Sequence, residues 1–290
     1  MARRAEAAGP DSHVIDAPLV SGIGPLLIVE LLALGLGAGF LAGLLGIGGG
    51  MLLVPFLTLI VSARGVPPAL AVKMAIATSM ATILFTSLSS LRAHHRHGAV
   101  RWPLVRGLAP GIVLGGLLSG AGVFALIKGQ GLAVVFAVFV GFSALQMLRD
   151  RKPAPHRQMP GWVGQMGAGG TIGLVSGLVG AGGAFMSVPF MLWCNVPLRH
   201  AVGTSAALGF PIALSATAGY VIGGWSLPPA LPGAVGYLYL PALFTIAAAS
   251  VLMAPLGART AHRIDVQSLR RLFALLLMAL AATMLWRVFA

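Results

Sequence analysis

A glycine-rich motif occurs twice inside apolar sequence. The first copy is Gly39-x-x-x-Gly43-Leu44-x-Gly46-x-Gly48-Gly49, closing on Val54-Pro55-Phe56; the second is Gly173-x-x-x-Gly177-Leu178-x-Gly180-x-Gly182-Gly183, closing on Val188-Pro189-Phe190. Glycine this dense does not favour a continuous helix. Unwound backbone at membrane depth exposes N–H and C=O groups, at several kcal/mol each, unless protein buries them or a solute path receives them. A chain that breaks its apolar segments twice in this way is expected to line a solute path.

Composition places those segments in a membrane. With 58% hydrophobic and only 9% charged residues, the 290-residue chain has too little polar surface to coat a soluble globule. A net charge of +13 suggests nucleic acid at first sight, but the nineteen Lys and Arg fall mostly in short connections between apolar runs, where they act as topology signals. Cys194 stands alone, which leaves neither a disulfide framework nor a cysteine metal site. Residues 1–22 are polar and lack the compact apolar core of a signal peptide, so they are expected to be a disordered tail.

About 20 apolar residues are needed to cross the roughly 30 Å hydrocarbon layer. Candidates are 23–45, 68–91, 103–127, 132–148, 163–179, 201–222, 237–256 and 269–288. Two shorter apolar pieces, 51–62 and 184–194, each follow a glycine loop and read as half-helices. The predicted fold is therefore an all-α membrane protein with about eight full spans plus two half-helices. The glycine sections keep a constant offset (177 minus 43 is 134), and Ala75-Ile76-Ala77-Thr78-Ser79 matches Ala201-Val202-Gly203-Thr204-Ser205 at 126 (201 minus 75). Two repeats follow, 23–150 and 162–290, joined by a cytoplasmic linker at 151–161. Each reads as helix, half-helix after a Gly-rich loop, then three helices, an internal symmetry found in secondary transporters.

The cationic clusters Arg92, Arg96 and Arg101; Arg149, Arg151, Lys152 and Arg157; and Arg259, Arg263, Arg270 and Arg271 are expected in the cytoplasm. The uncharged, Pro- and Gly-rich stretch 224–236 is expected outside. An even number of crossings between clusters requires 163–194 to enter and return, so the second repeat runs inverted relative to the first and both termini lie outside.

Each glycine loop leads into a half-helix whose first N–H groups lack an intrahelical acceptor. The helix dipole adds partial positive charge and glycine permits close approach, so the natural guest is an anion. Gly46, Gly48, Gly49, Gly50, Gly180, Gly182 and Gly183 are the candidate binding positions. Gly35, Gly39 and Gly43, at small-xxx-small spacing, read instead as helix packing. Thr78, Ser79, Thr204 and Ser205 recur on corresponding helices and could donate to an oxyanion, or bond back to their own helix carbonyls.

Glu30 is the only acidic residue within an apolar span, where an ionisable group costs at least about 2.5–3.5 kcal/mol. It could carry a coupling proton, lie near an interface or pair with Lys73. Lys73 could attract an anion, but it sits about 140° around the helix from Thr78. His200 shares the Thr204 face; with Arg199 it could guide anions, or both could be interfacial anchors. His94 and His97 have helical spacing, yet the surrounding arginines repel a cation, so they read as an anchor and no metal is expected. No catalytic triad, carboxylate pair or phosphate-cradling Lys motif appears, so the chain is not read as an enzyme and no cofactor is expected.

Gly43-Leu44-Leu45-Gly46-Ile47-Gly48-Gly49-Gly50 with Pro55, Ala77-Thr78-Ser79-Met80-Ala81-Thr82, Ser89-Ser90-Leu91-Arg92-Ala93-His94-His95 and His200-Ala201-Val202-Gly203-Thr204-Ser205 together resemble the sulfite exporter TauE/SafE family of anion transporters. The resemblance covers nearly the whole chain from about Leu31. It implies a multi-pass permease of the bacterial inner membrane that moves sulfite, sulfonates such as sulfoacetate or related small sulfur oxyanions, with protons as the coupling ion and both glycine loops as substrate site. The second loop departs from the pattern by ending Gly182-Gly183-Ala184. The expected function is alternating-access transport of such an anion, the alternatives being a passive anion channel or a membrane scaffold. Expected partners are the small anion, protons and the lipid bilayer, with no nucleic acid and an open oligomeric state.

Overall fold

The computed structural model describes residues 24–45, 50–149, 157–260 and 266–289. Its helices are α1 (Pro25–Leu45), α2 (Gly50–Ser62), α3 (Pro68–Arg96), α4 (Trp102–Leu126), α5 (Gly129–Arg149), α6 (Trp162–Val179), α7 (Ala184–Trp193), α8 (Leu198–Gly224), α9 (Leu240–Thr260) and α10 (Val266–Phe289). A short antiparallel ladder, β1 (Ala234–Val235) with β2 (Leu238–Tyr239), links α8 to α9. The all-α expectation holds, and both half-helices form. At 13 and 10 residues, α2 and α7 reach only about 20 and 15 Å, short of the hydrocarbon thickness. Pro55 and Pro189 occupy matching interior positions in them.

Proline and glycine set the boundaries. Pro67 and Pro197, locked near φ −55°, precede α3 and α8, and Pro103 sits in the first turn of α4, where a missing N–H costs nothing. Gly65, at φ +85°, and Asn195, at φ +61°, turn the chain after the two half-helices. Within α4, Leu118–Val123 winds as a π-helix.

Six described helices are long and apolar enough to cross a membrane: Pro25–Ala42, Pro68–Arg96, Trp102–Leu126, Gly129–Arg149, Leu198–Gly224 and Leu240–Gly257. The other two expected spans differ. In α6, glycines and Gln165 dilute the apolar content, and in α10 the apolar stretch among the described residues is the shorter Arg271–Trp286.

Side-chain contacts sort the helix ends into two sets. At one end, Arg64 after α2 meets Glu30 near the start of α1, Lys73 near the start of α3 meets Ala125 at the end of α4, and Phe124 packs edge-on to Tyr237 before α9. At the other, Arg199 of α8 donates to the His97 carbonyl after α3, and the Arg157 N–H bonds the Trp193 carbonyl at the end of α7. The starts of α3 and α8 thus lie at opposite ends. Tryptophans follow the same division. Trp102, Trp162 and Trp193 lie at the arginine-rich end, whereas Trp225 and Trp286 close the helices that finish at the other, as amphipathic rings do at the two membrane–water boundaries.

Glycine decides the closest packing, and it does so crosswise. A methyl group at Gly39 of α1 would lie 2.5 Å from the Ser250 backbone of α9, and one at Gly35 2.7 Å from Ala249. The Ser250 hydroxyl then donates to the Gly35 carbonyl at 2.9 Å. In α6, Gly169 and Gly173 lie equally tight against the Leu108 and Ile112 carbonyls of α4. The packing reading of Gly35 and Gly39 therefore holds; the side-chain environment of Gly43 lies outside the described residues. Because the obstructing atoms are backbone, they cannot turn aside. Gly39→Leu or Gly173→Leu is expected to cost at least about 1–3 kcal/mol, measured as a lower unfolding midpoint in detergent, whereas Gly37→Ala, with open space around it, should not.

Candidate functional site

The second glycine loop is a sharp break between α6 and α7. Gly180, at φ +72°, ends α6, and its N–H and that of Ala181 both bond the Ser176 carbonyl at 2.9 and 3.3 Å. Gly183, at φ +73°, opens α7; its own N–H goes to the Ala181 carbonyl at 2.8 Å, and its carbonyl receives the Met186 and Ser187 N–H groups. No side chain caps α7, so the N–H groups of Ala184 and Phe185 stand ahead of the first intrahelical bond.

Of the first loop, Gly46, Gly48 and Gly49 lie outside the described residues. Gly50 begins α2 and is buried against the second loop. A methyl there would lie 2.5 Å from the Gly180 carbonyl oxygen and 3.6 Å from the Ala181 Cα. Gly180 in turn packs on Val54 of α2 and Ile76 of α3. The start of α2 and the loop preceding α7, 130 residues apart (180 minus 50), are therefore in contact.

The four candidate hydroxyls separate by role. Thr78 Oγ1 accepts the Tyr239 N–H at 3.0 Å, just before α9, and Thr204 Oγ1 accepts the Arg101 N–H at 3.0 Å, just before α4. Each threonine thus receives an N–H at the start of a helix from the other half of the chain. Ser205 shares a 2.8 Å hydrogen bond with Ser187 of α7. Ser79 is fully buried, and its hydroxyl has no partner. On α3 it stands on the same face as Ile76, which touches Gly180, and Ile83, which touches both Gly50 and Gly182.

The ionisable candidates are placed at the ends. Glu30 pairs with Arg64 at 2.7 Å, and the same guanidinium donates to the Ile60 carbonyl at 2.7 Å near the end of α2. Lys73, one of the partners considered for Glu30, instead donates to the Ala125 carbonyl at 3.1 Å and lies over the Phe124 and Tyr237 rings at 5.7 and 5.5 Å. A cation at a helix C-terminus is favoured by the dipole, and both rings add to it. Burial pushes the Tyr239 phenol up, while the Arg64 guanidinium pulls the other way. His200 Nδ1 lies 3.2 Å from the Ala99 carbonyl, on the face where Thr204 meets Arg101, and Arg199 reaches His97 at 2.6 Å.

Sequence reasoning passed over Arg64, Ser187 and Ile83. Arg64 had a visible signal, as a lone cation just after a half-helix. Ile83 follows Ile76 by seven residues, an ordinary core spacing that marks nothing until Gly50 and Gly182 are seen to pack on it.

A multi-pass helical bundle with a break buried between two short helices is the architecture of a membrane transporter. The chain belongs to the sulfite exporter TauE/SafE family, whose model matches residues 31–284. It is 34% identical to a probable membrane transporter protein of Haemophilus influenzae over 89% of this chain and 97% of that one. It is 30% identical to another of Xylella fastidiosa (87% and 92%) and 26% identical to one of Methanocaldococcus jannaschii (84% and 90%). No solved structure matches it.

Thr78→Val and Thr204→Val each strand a backbone N–H and should cost about 1–3 kcal/mol, with Thr→Ser at either site restoring most of it. Ser79→Ala strands nothing, so its unfolding midpoint should equal or exceed the parent's. Thermal unfolding of the purified set checks both; equal losses at Thr78 and Ser79 would contradict the division of roles.

Proposed function

We propose that the protein is a secondary transporter of small sulfur oxyanions, sulfite or organosulfonates such as sulfoacetate, in a bacterial inner membrane. The observation that carries this reading is the contact of Gly50 with Gly180 and Ala181. It brings the start of α2 beside the loop that ends α6 and opens α7; in this reading the terminal N–H groups of the two short helices serve one buried region. Partial positive charge from both dipoles, with no Lys or Arg among the described residues at the same point, suits an oxyanion that must bind and then leave. The family's description as a sulfite exporter supports the substrate class.

Two inverted halves, 23–150 and 162–290 with a linker at 151–161, supply alternating access. This reading is supported by the opposite directions of α3 and α8 and by the crosswise packing of α1 on α9 and α6 on α4. Gly46, Gly48, Gly49, Gly50, Gly180, Gly182 and Gly183 carry the binding backbone and Ser79 contributes a hydroxyl, while Thr78, Thr204 and Ser205 hold the elements around it. Arg199 and His200 belong to the cytoplasmic mouth. Glu30 is the coupling carboxylate: its protonation releases Arg64, the same side chain that holds the last turn of α2.

In a thermal-shift panel on detergent-purified protein, sulfite, thiosulfate and sulfoacetate should raise the unfolding midpoint and unrelated carboxylates should not; saturation at 100 Kd corresponds to about 2.7 kcal/mol. In proteoliposomes Gly183→Leu should abolish uptake in folded protein. Saturable counterflow is expected, which a passive pore does not show, and Glu30→Gln should remove the dependence of uptake on a pH gradient. Stabilisation by carboxylates alone would overturn the substrate class.

A further inference from the structure

We infer that Ile83 is the size filter of the anion path, with the Ser79 hydroxyl behind it as the donor a passing anion meets; this rests on the reading of the glycine loops as an anion site. Ile83 is 4% exposed and packs on both Gly50, at the start of α2, and Gly182 of the second loop. Its Cδ1 would lie 2.9 Å from a methyl at Gly50, and its Cγ2 and Cδ1 3.5 and 3.8 Å from one at Gly182. Among the described residues no other side-chain atom comes within 4 Å of that Gly182 position, so Ile83 is the described side chain that closes the space beside it.

A branched hydrocarbon side chain is a poor neighbour for helix-terminal N–H groups, since it offers them no acceptor. Four residues earlier on the same face, Ser79 is fully buried with its hydroxyl unpaired. Buried hydroxyls ordinarily find partners; Ser119 and Thr217 also lack one, but Ser79 is the one of the three that shares the α3 face with Ile83. An oxyanion taking the place of the Ile83 side chain resolves both misfits: it accepts from the exposed amides and from Ser79. Ile212 covers the other flank by packing on Gly183, but it touches one loop only and behaves as ordinary core. The structure is then the closed state, in which a change of Ile83 rotamer admits the anion and the volume at position 83 sets how large that anion can be.

The test uses full-length protein carrying S79C in a C194S background, with 2-sulfonatoethyl methanethiosulfonate, itself an anionic sulfonate, as thiol probe. Ile83→Ala should speed modification of the S79C thiol by about tenfold or more, because truncating a packed isoleucine removes contacts that only the closed form makes. Ile83→Phe should slow it, and Ile83→Val, the variant least able to disturb folding, should fall between Ala and the parent. In proteoliposomes with Ser79 intact, Ile83→Ala should raise sulfoacetate uptake relative to sulfite by about tenfold, the scale on which one or two methylenes discriminate in an apolar pocket. Equal labelling rates across the series, or uptake of both anions changing in parallel, would overturn the filter. Labelling that follows residue 83 while sulfite neither protects the thiol nor is transported would leave the filter standing and remove sulfur oxyanions as its substrate.

Discussion

Hydrocarbon offers no partner to a backbone N–H, and the arrangement of this protein follows from how the chain meets that condition wherever a helix stops. Within the helices the groups satisfy one another. At the starts of α4 and α9 the exposed N–H groups of Arg101 and Tyr239 are received by Thr204 and Thr78, each reaching across from the opposite half of the chain. The same crosswise logic governs packing, since the glycine faces of α1 and α6 are filled by the backbones of α9 and α4. Neither half can complete its own hydrogen bonding or its own packing, which ties the two into one body.

Against that background, the junction of the glycine loops is conspicuous for what it leaves unfinished. Several polar groups around it are paired: Thr78 and Thr204 as above, Ser187 and Ser205 with one another, Arg64 with Glu30 and with Ile60. At the junction, two helix starts adjoin an isoleucine, and Ser79 is buried without a partner. On the anion-site reading proposed above, a site that must release its ligand cannot be fully self-satisfied, and a fixed cation there would hold an anion too long. In that proposal, neutral amides and one hydroxyl supply attraction that is strong in a dry setting and still reversible.

The charged residues do mechanical work at the periphery. Lys73 closes the last turn of α4 against two aromatic rings, and Arg199 and His200 fasten α8 to the connection between α3 and α4. Arg64 ties the short α2 to α1. Most of the ionisable groups that drew attention in the sequence hold helix ends in place, consistent with the cost of bringing them deeper.

The sequence by itself determined the membrane class, six of the eight expected spans, the two half-helices and the break before α7, because these depend on local quantities: apolar run length, glycine density and proline position. It also carries matching motifs at offsets of 134 and 126, the basis for expecting two repeats. The number of crossings was less legible, because the glycine content that lets α6 press against α4 also weakens its apolar signal. Only the tertiary structure decided that Thr78 and Thr204 cap helices of the other half while Ser79 stays free, that Glu30 meets Arg64 rather than Lys73, and that Ile83 lies against both Gly50 and Gly182. Those outcomes turn on which atoms of distant segments come within about 3 Å, the range over which a hydrogen bond forms or fails, and no periodicity along the chain encodes that.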